Sequence, residues 1–309
     1  MLLLQWASPV QPAPAESPQG GNAARVGGCS GVIQIACPFL FSMERVIVVT
    51  GASSGLGQST ANYLAQKGFK VFGSCRNPQK YPKPEHYSLL ALDLNNPETI
   101  DSFRAAVLEA AGRVDAVVNN AGVGITGPIE ELDAQALKDH FQTNLFGPTA
   151  LLQAFSPDLR LTKGAIINIT SIAGYMGLPF RGAYSASKGA FHLLSEALRM
   201  EVKSQGIRVM TVAPGDYATD IASRRYHEPV QADSPYREVY QHSLDTMNTH
   251  VDQGNDPEEI ARAIAALLQS KNPGVHHRVG PFMQKLSVTL KRILPDTWYE
   301  RLLMNHYKL

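Results

Sequence analysis

Cysteine is scarce in this chain: Cys29, Cys37 and Cys75 are the three among 309 residues. An odd, widely spaced set supplies no disulfide framework and fits a reducing compartment, so a cytoplasmic location is expected. None of the three lies in a CxxC pair. The nine histidines are dispersed rather than set at metal-ligand spacing, and His276 and His277, adjacent on a strand, would face opposite sides. No metal is therefore assigned. Charge of one sign is also lacking. The net charge is +1 with Lys and Arg scattered, which leaves no basic stripe of the kind nucleic acid requires. Long apolar runs are missing as well. "GVIQIACPFLF" extends over only 11 residues, too few to cross a bilayer as a helix. "MLLL" has neither the length nor the basic flank of a secretory signal.

What is present begins after residue 42. Residues 1–42, with "SPVQPAPAESPQGGNAARVGG", are too rich in Pro, Gly and polar residues to build a core. They read as a disordered leader, or as upstream sequence before a start at Met43. From there, apolar β-branched runs alternate with helical periodicity. The strands expected are 45–50, 69–74, 88–94, 114–120, 164–171, 207–214 and 274–280, and helices are expected at 57–68, 97–112, about 130–160, 183–205 and 256–270. Asn95 or Asn96 caps the second helix, with Pro97 in its first turn. Such alternation implies an α/β fold: a doubly wound, Rossmann-like parallel sheet of about seven strands, in a single domain over 43–280. Ligands of such sheets sit beyond the carboxyl ends of the strands.

Three features carry chemistry. "TGASSGLG" (50–57) follows the first strand and opens the first helix. Its glycines, Gly51, Gly55 and Gly57, allow a tight turn whose amides face a pyrophosphate. The second strand ends in "GSCRN" (73–77), with no Asp or Glu before Glu85. A carboxylate there would suit the ribose 2′-hydroxyl of NAD, whereas Arg76 suits the 2′-phosphate of NADP. NADP(H) is thus expected in preference to NAD(H). Third, "AYSASKGAF" (183–191) sets Tyr184 and Lys188 four apart among small residues, on one face of a helix. A free phenol titrates at about 10, and a neighbouring cation favours its ionised form. The small neighbours leave room for ligands around the pair.

With "NNAG" (119–122), Ser171 and "PG" (214–215) added in this order, the chain resembles the classical short-chain dehydrogenase/reductase family over about residues 44–280. The resemblance implies catalytic roles for four residues. Ser171 hydrogen-bonds the substrate oxygen, Tyr184 transfers the proton, Lys188 holds the nicotinamide ribose and tunes Tyr184, and Asn144 completes a proton relay through water. It further implies cofactor contacts from Gly51, Ser53, Ser54, Gly55, Leu56 and Gly57, then Arg76, Asp93 and Leu94. Asn119, Asn120, Ala121 and Gly122 would form the nucleotide-side wall, and Tyr184, Lys188, Pro214, Gly215 and Thr219 complete the set. Tyr217 departs from the family pattern, standing where a small aliphatic residue is usual, and so is a candidate to shape the substrate pocket.

Residues 216–256 form a long connection expected to hold helical pieces and to close over the substrate. "YMGLPF" (175–180) is expected to line the opposite side with apolar groups. That resembles the steroid- and retinol-dehydrogenase branch and implies a medium-to-large apolar carbonyl or alcohol as substrate. The alternatives are a 3-oxoacyl-thioester (acyl-carrier) reductase and a non-catalytic NADP(H)-binding sensor. A helical extension, 281–309, follows. Its stripe Met283, Leu286, Leu290 and Ile293, opposite Lys285, Lys291 and Arg292, packs on its own domain or a subunit partner, or touches a membrane surface. A homodimer or homotetramer is expected from the resemblance.

Overall fold

The computed structural model describes residues 44–217, 225–252 and 255–309. The leader, Met43, Cys29, Cys37 and Thr219 lie outside the described residues. In chain order the first half holds β1 (Val46–Val49), α1 (Gly55–Gln66), β2 (Lys70–Cys75), β3 (Ser88–Ala91), α2 (Pro97–Ala111), β4 (Ala116–Asn119), β5 (Ile125–Thr126), α3 (Ala134–Phe141) and α4 (Gly147–Thr162). The second half holds β6 (Ala165–Ile169), α5 (Gly182–Glu201), β7 (Arg208–Pro214), β8 (Tyr226–His227), α6 (Arg237–Asp252), α7 (Glu258–Gln269), β9 (His276–Val279), α8 (Phe282–Ile293) and α9 (Asp296–Tyr307).

Seven strands form one parallel sheet in the order β3-β2-β1-β4-β6-β7-β9. The central strands are buried and mostly apolar because both faces are covered, with Asn119 and Asn168 as polar exceptions paired to each other. On one face Leu64 of α1 and Ile260, Ile264 and Leu268 of α7 pack on Ile47, Val49, Val118 and Ile167. On the other, Phe103 and Val107 of α2 and Leu151, Phe155 and Leu159 of α4 pack on Val46, Val48, Val117 and Ile166. The strand order reverses between β1 and β4, and the crevice at their carboxyl ends is where such a sheet receives a ligand.

Local signals explain the element ends. The Asn96 side chain accepts from the Glu98 amide at 3.0 Å to cap α2, with Pro97 at its first position. Gly112 closes that helix in a left-handed conformation. The edge strand β9 is tied to α5: His276 Nε2 lies 2.7 Å and His192 Nε2 3.4 Å from Glu196 Oε1, and the two imidazoles stack at 4.0 Å.

The helical region expected over about 130–160 consists of α3, a π-helical turn at Gln142–Phe146, and α4. Pro148 suits the start of a helix rather than its interior. The apolar stretch 175–180 does not line the ligand crevice. Met176, Tyr175 and Leu178 instead form a cluster with Val288, Leu290, Tyr299 and Leu303 beneath the C-terminal helices. Of the stripe expected on α8, Leu290 packs in this cluster and Leu286 is half-buried, while Met283 and Ile293 are exposed and Val288 is the buried residue. Among the described residues no helix is long and apolar enough to cross a membrane.

Candidate active site

A cavity of ≈ 490 Å³ opens at the carboxyl ends of the strands, lined from the glycine turn after β1 to the end of β7. Its shape at the turn depends on absent side chains. Gly51 and Gly55 have positive φ, 68° and 53°. A Cβ at Gly57 would lie 2.2 Å from the Gly51 carbonyl oxygen and 2.4 Å from Asn120 Nδ2. The turn is braced from β4. The Asn120 and Ala121 amides donate to Thr50 Oγ1 at 3.0 and 2.9 Å, and Asn120 Nδ2 donates to the Thr50 carbonyl at 2.9 Å. Helix α1 begins directly after this turn, so its free amides and dipole favour an anion there.

Every expected cofactor-contact residue in the described chain lines the cavity except Asn119: Gly51, Ser53, Ser54, Gly55, Leu56, Gly57, Arg76, Asp93, Leu94, Asn120, Ala121, Gly122, Tyr184, Lys188, Pro214 and Gly215. Asn119 is buried, and its Nδ2 donates to Asn168 Oδ1 at 2.9 Å inside the sheet. Strand alternation turns it away from the ligand side, whereas Asn120, one residue later, faces it. Lys80 and Tyr81 join Arg76 at the end of the cavity beyond β2. The Asp93 carboxylate accepts from the Asn95 amide at 3.0 Å.

Helix α5 presents both Tyr184 and Lys188 to this cavity, and Ser171, at the end of β6, lines it beside them. Ser171 Oγ accepts from the Ala173 amide at 3.1 Å, which leaves its proton for a ligand. The Lys188 ammonium is buried and donates to the Ile169 carbonyl at 3.0 Å. Burial pulls its pKa below the ordinary lysine value, and Tyr184 pushes it back up. A Cβ on Gly122 would stand 3.2 Å from Asn144 Oδ1 and 3.3 Å from Lys188 Nζ, so a side chain there would crowd both groups.

Asn144 sits in the π-helical turn, an irregularity often found at functional sites. Its amide is clamped by one backbone position. Oδ1 accepts from the Val123 amide at 2.8 Å and Nδ2 donates to the Val123 carbonyl at 2.9 Å. Behind it is a residue that sequence reasoning missed. His140 Nε2 lies 3.2 Å from Asn144 Nδ2 and 2.9 Å from Ser187 Oγ, while Ser187 Oγ donates to the Tyr184 carbonyl at 2.9 Å. Whether Nε2 donates or accepts in these two contacts depends on the tautomer. The detectable signal was the spacing of His140 four residues before Asn144, on the same helical face.

Burial, with Lys188 adding to it, lowers the His140 pKa to about 4 from 6.5. Since the folded value lies below the unfolded one, neutral His140 contributes stability above pH 6.5 that is lost as pH falls toward 4. Urea unfolding is expected to show that between about pH 8 and pH 4.5 the protein loses about 2–3 kcal/mol more than a His140→Asn variant does. Parallel losses in both proteins would contradict this.

Tyr217 is buried, lines the cavity and donates to Glu259 Oε2 of α7 at 3.0 Å. Burial and that carboxylate push its pKa well up. From the connection after β7, β8 pairs with β5 in a short parallel ladder, Ile125 with Tyr226 and Thr126 with His227. Tyr240 of α6 donates to the Thr126 carbonyl at 3.0 Å. The ladder brings Arg225 to the cavity, and Arg181, just before α5, lines it too. Neither arginine was marked as a site residue from sequence.

A doubly wound sheet with a glycine cradle at one end of a cavity and a Ser, Tyr and Lys group lining it matches one known pattern, and residues 45–229 match the profile described as short chain dehydrogenase. The chain belongs to this family. A 3-ketodihydrosphingosine reductase from Bacteroides thetaiotaomicron is 34% identical, covering 86% of this chain and 98% of the relative. The 17-beta-hydroxysteroid dehydrogenase type 1 of Mus musculus is 30% identical, covering 75% of this chain and 72% of that one. Among solved structures, a short chain dehydrogenase from Burkholderia cenocepacia in complex with NADP has a TM-score of 0.67 and 26% identity, covering 84% of this chain and 98% of that one. The protein is accordingly an oxidoreductase that acts on an alcohol or carbonyl with a nicotinamide cofactor, and the glycine cradle, which a Cβ at Gly57 would fill, fits that group.

Proposed function

We propose that the protein interconverts a carbonyl and an alcohol on a medium-to-large substrate using NADP(H), with Tyr184 as the acid/base. The observation that carries this reading is the presence of Tyr184 and Lys188, on one helix, in the cavity that the glycine turn opens. When bound, the dihydronicotinamide supplies the hydride that reduces the carbonyl carbon. The Tyr184 hydroxyl donates its proton to the carbonyl oxygen, and Ser171 donates a hydrogen bond to the same atom as negative charge develops there. Lys188 is buried and fixed on the Ile169 carbonyl, and its ammonium form would favour the ionised phenol. The clamped Asn144 amide and neutral His140 hold the floor behind the pair rigid. Val123, Ile125 and Tyr217 supply apolar lining for a substrate body.

The NADP(H) preference rests on Arg76 with Lys80 at the cavity end beyond β2. Two cations there suit a phosphomonoester better than a diol. Replacing Arg76 by Ala is expected to raise the KM for NADPH by roughly 10–100-fold, the worth of a charged hydrogen-bonded contact, with NADH much less affected. Equal effects on the two cofactors would remove the basis for the preference.

The function is tested by following NADPH consumption across a panel of ketones, aldehydes and 3-oxoacyl thioesters. Reduction of ketones or aldehydes supports the proposal. Turnover of acyl thioesters alone would assign the protein to acyl-carrier reduction, and NADPH binding without any turnover would favour a sensor.

A further inference from the structure

Arg225 is a buried cation in the active-site cavity, with only 9% of its surface exposed. Its position is fixed. The aliphatic stem lies against Gly124, where a Cβ would come within 2.9 Å of Arg225 Cγ, and the next residue, Tyr226, donates its amide to the Gly124 carbonyl at 3.0 Å. A guanidinium carries five N–H donors and does not deprotonate in proteins. Among the described residues the hydrogen-bond partner of those donors is the Met247 thioether, a weak acceptor at 4.0 Å from Nη1. No carboxylate of a described residue forms an ion pair with Arg225.

The surrounding charges deepen the imbalance. Burial lowers the Arg225 pKa, as does Arg181, while Tyr184, Asp216 and Tyr240 act in the opposite direction. Arg181 lines the same cavity, with Cζ 5.4 Å from the Tyr184 ring centre. Asp216 also lines it and acts on Arg225 without forming an ion pair with it, its Oδ2 accepting from Gln284 Nε2 at 2.6 Å. A buried charge without a partner is costly, and a guanidinium fork matches carboxylate or phosphate oxygens. Arg225 stands against Gly124, just before β5, and Tyr184 and Arg181 act on its charge, so the group it awaits is assigned to the substrate side.

We propose that the substrate carries, besides its reactive carbonyl or alcohol, an anionic oxygen group, a carboxylate or a phosphate, that Arg225 binds with Arg181 beside it. This rests on the carbonyl-reductase reading and narrows its substrate class from apolar to apolar with an acidic end.

The test compares linear methyl ketones of one chain length that end in a carboxylate, its methyl ester, a phosphate or an ammonium, using the full chain and NADPH. The carboxylate or phosphate ketone is expected to exceed the methyl ester in kcat/KM by at least about tenfold, in line with a charge-assisted contact, and the better of the two identifies the oxyanion. In Arg225→Met that ratio falls to near one, and Arg225→Lys keeps part of it. Equal turnover of the wild-type protein on acid and ester, or preference for the ammonium, overturns the proposal whether or not the variants fold. Should no ketone be reduced, the carbonyl-reductase reading fails, and calorimetry on the NADPH-loaded protein decides this one separately. Tighter binding of an alkanoate than of the matching alkanol upholds the anion site; equal or weaker binding refutes it.

Discussion

Tyr184→Phe is expected to lower kcat/KM for carbonyl reduction by about a thousandfold, within the range of rate contributions from a positioned proton donor. The substitution removes one oxygen and keeps the ring. The ring packs near two fixed groups, with the Arg181 guanidinium 5.4 Å and the His140 ring 6.1 Å from its centre, and both contacts survive in phenylalanine. Stability and NADPH affinity should therefore change little, since Lys188, the glycine turn and Arg76 all remain. Steady-state assays with a fluorescence titration of NADPH separate the two effects. A loss confined to kcat/KM with unchanged cofactor binding is the expected signature. A variant that retained a tenth or more of the wild-type rate would show that the proton comes from elsewhere.

The second large effect is expected at Gly57. A Cβ there would stand 2.2 Å from a backbone oxygen and 2.4 Å from the Asn120 amide nitrogen. The Gly51 oxygen belongs to a turn with φ of 68°, so it has no side-chain rotation with which to yield. The turn must open, and the amides that face the pyrophosphate move with it. Gly57→Ala is expected to weaken NADPH binding by about 100-fold, close to 3 kcal/mol. Gly68→Ala is the control. Gly68 has φ of 84° but nothing within 4 Å of the added carbon, so it costs stability of about 1 kcal/mol and leaves cofactor affinity alone. Wild-type affinity in Gly57→Ala would mean that the turn is not the phosphate site.

The parts of this molecule that were legible in the sequence are those fixed by local chemistry. "RVIVVT" reads as a buried parallel strand because its run is apolar and β-branched with no polar alternation to offer a solvent face. Gly51, Gly55 and Gly57 follow one such run and precede a helix, so the cradle could be read from order alone. Tyr184 and Lys188 shared a face at helical spacing. What escaped notice depends on contacts between distant segments. Arg225 reaches the cavity because β8 pairs with β5, which lies 100 residues earlier in the chain at Ile125–Thr126. Two-residue strands leave no periodicity to detect. Met176 was expected at the substrate wall but packs with Val288 and Tyr299 of the C-terminal helices, a partnership between apolar residues that composition cannot distinguish from a pocket lining. His140 and Ser187 acquired meaning only once the π-helical turn had brought Asn144 between them and Val123.

The most direct measurement is a crystal structure of the protein with NADP+ and an unreactive ketone or alcohol analogue. The mechanism requires the ligand oxygen to lie within hydrogen-bond distance, about 2.6–3.2 Å, of both the Tyr184 hydroxyl and Ser171 Oγ, with the pyrophosphate against the Gly51–Gly57 turn. A ligand oxygen bound away from Tyr184, or a dinucleotide seated elsewhere than on that turn, would contradict it.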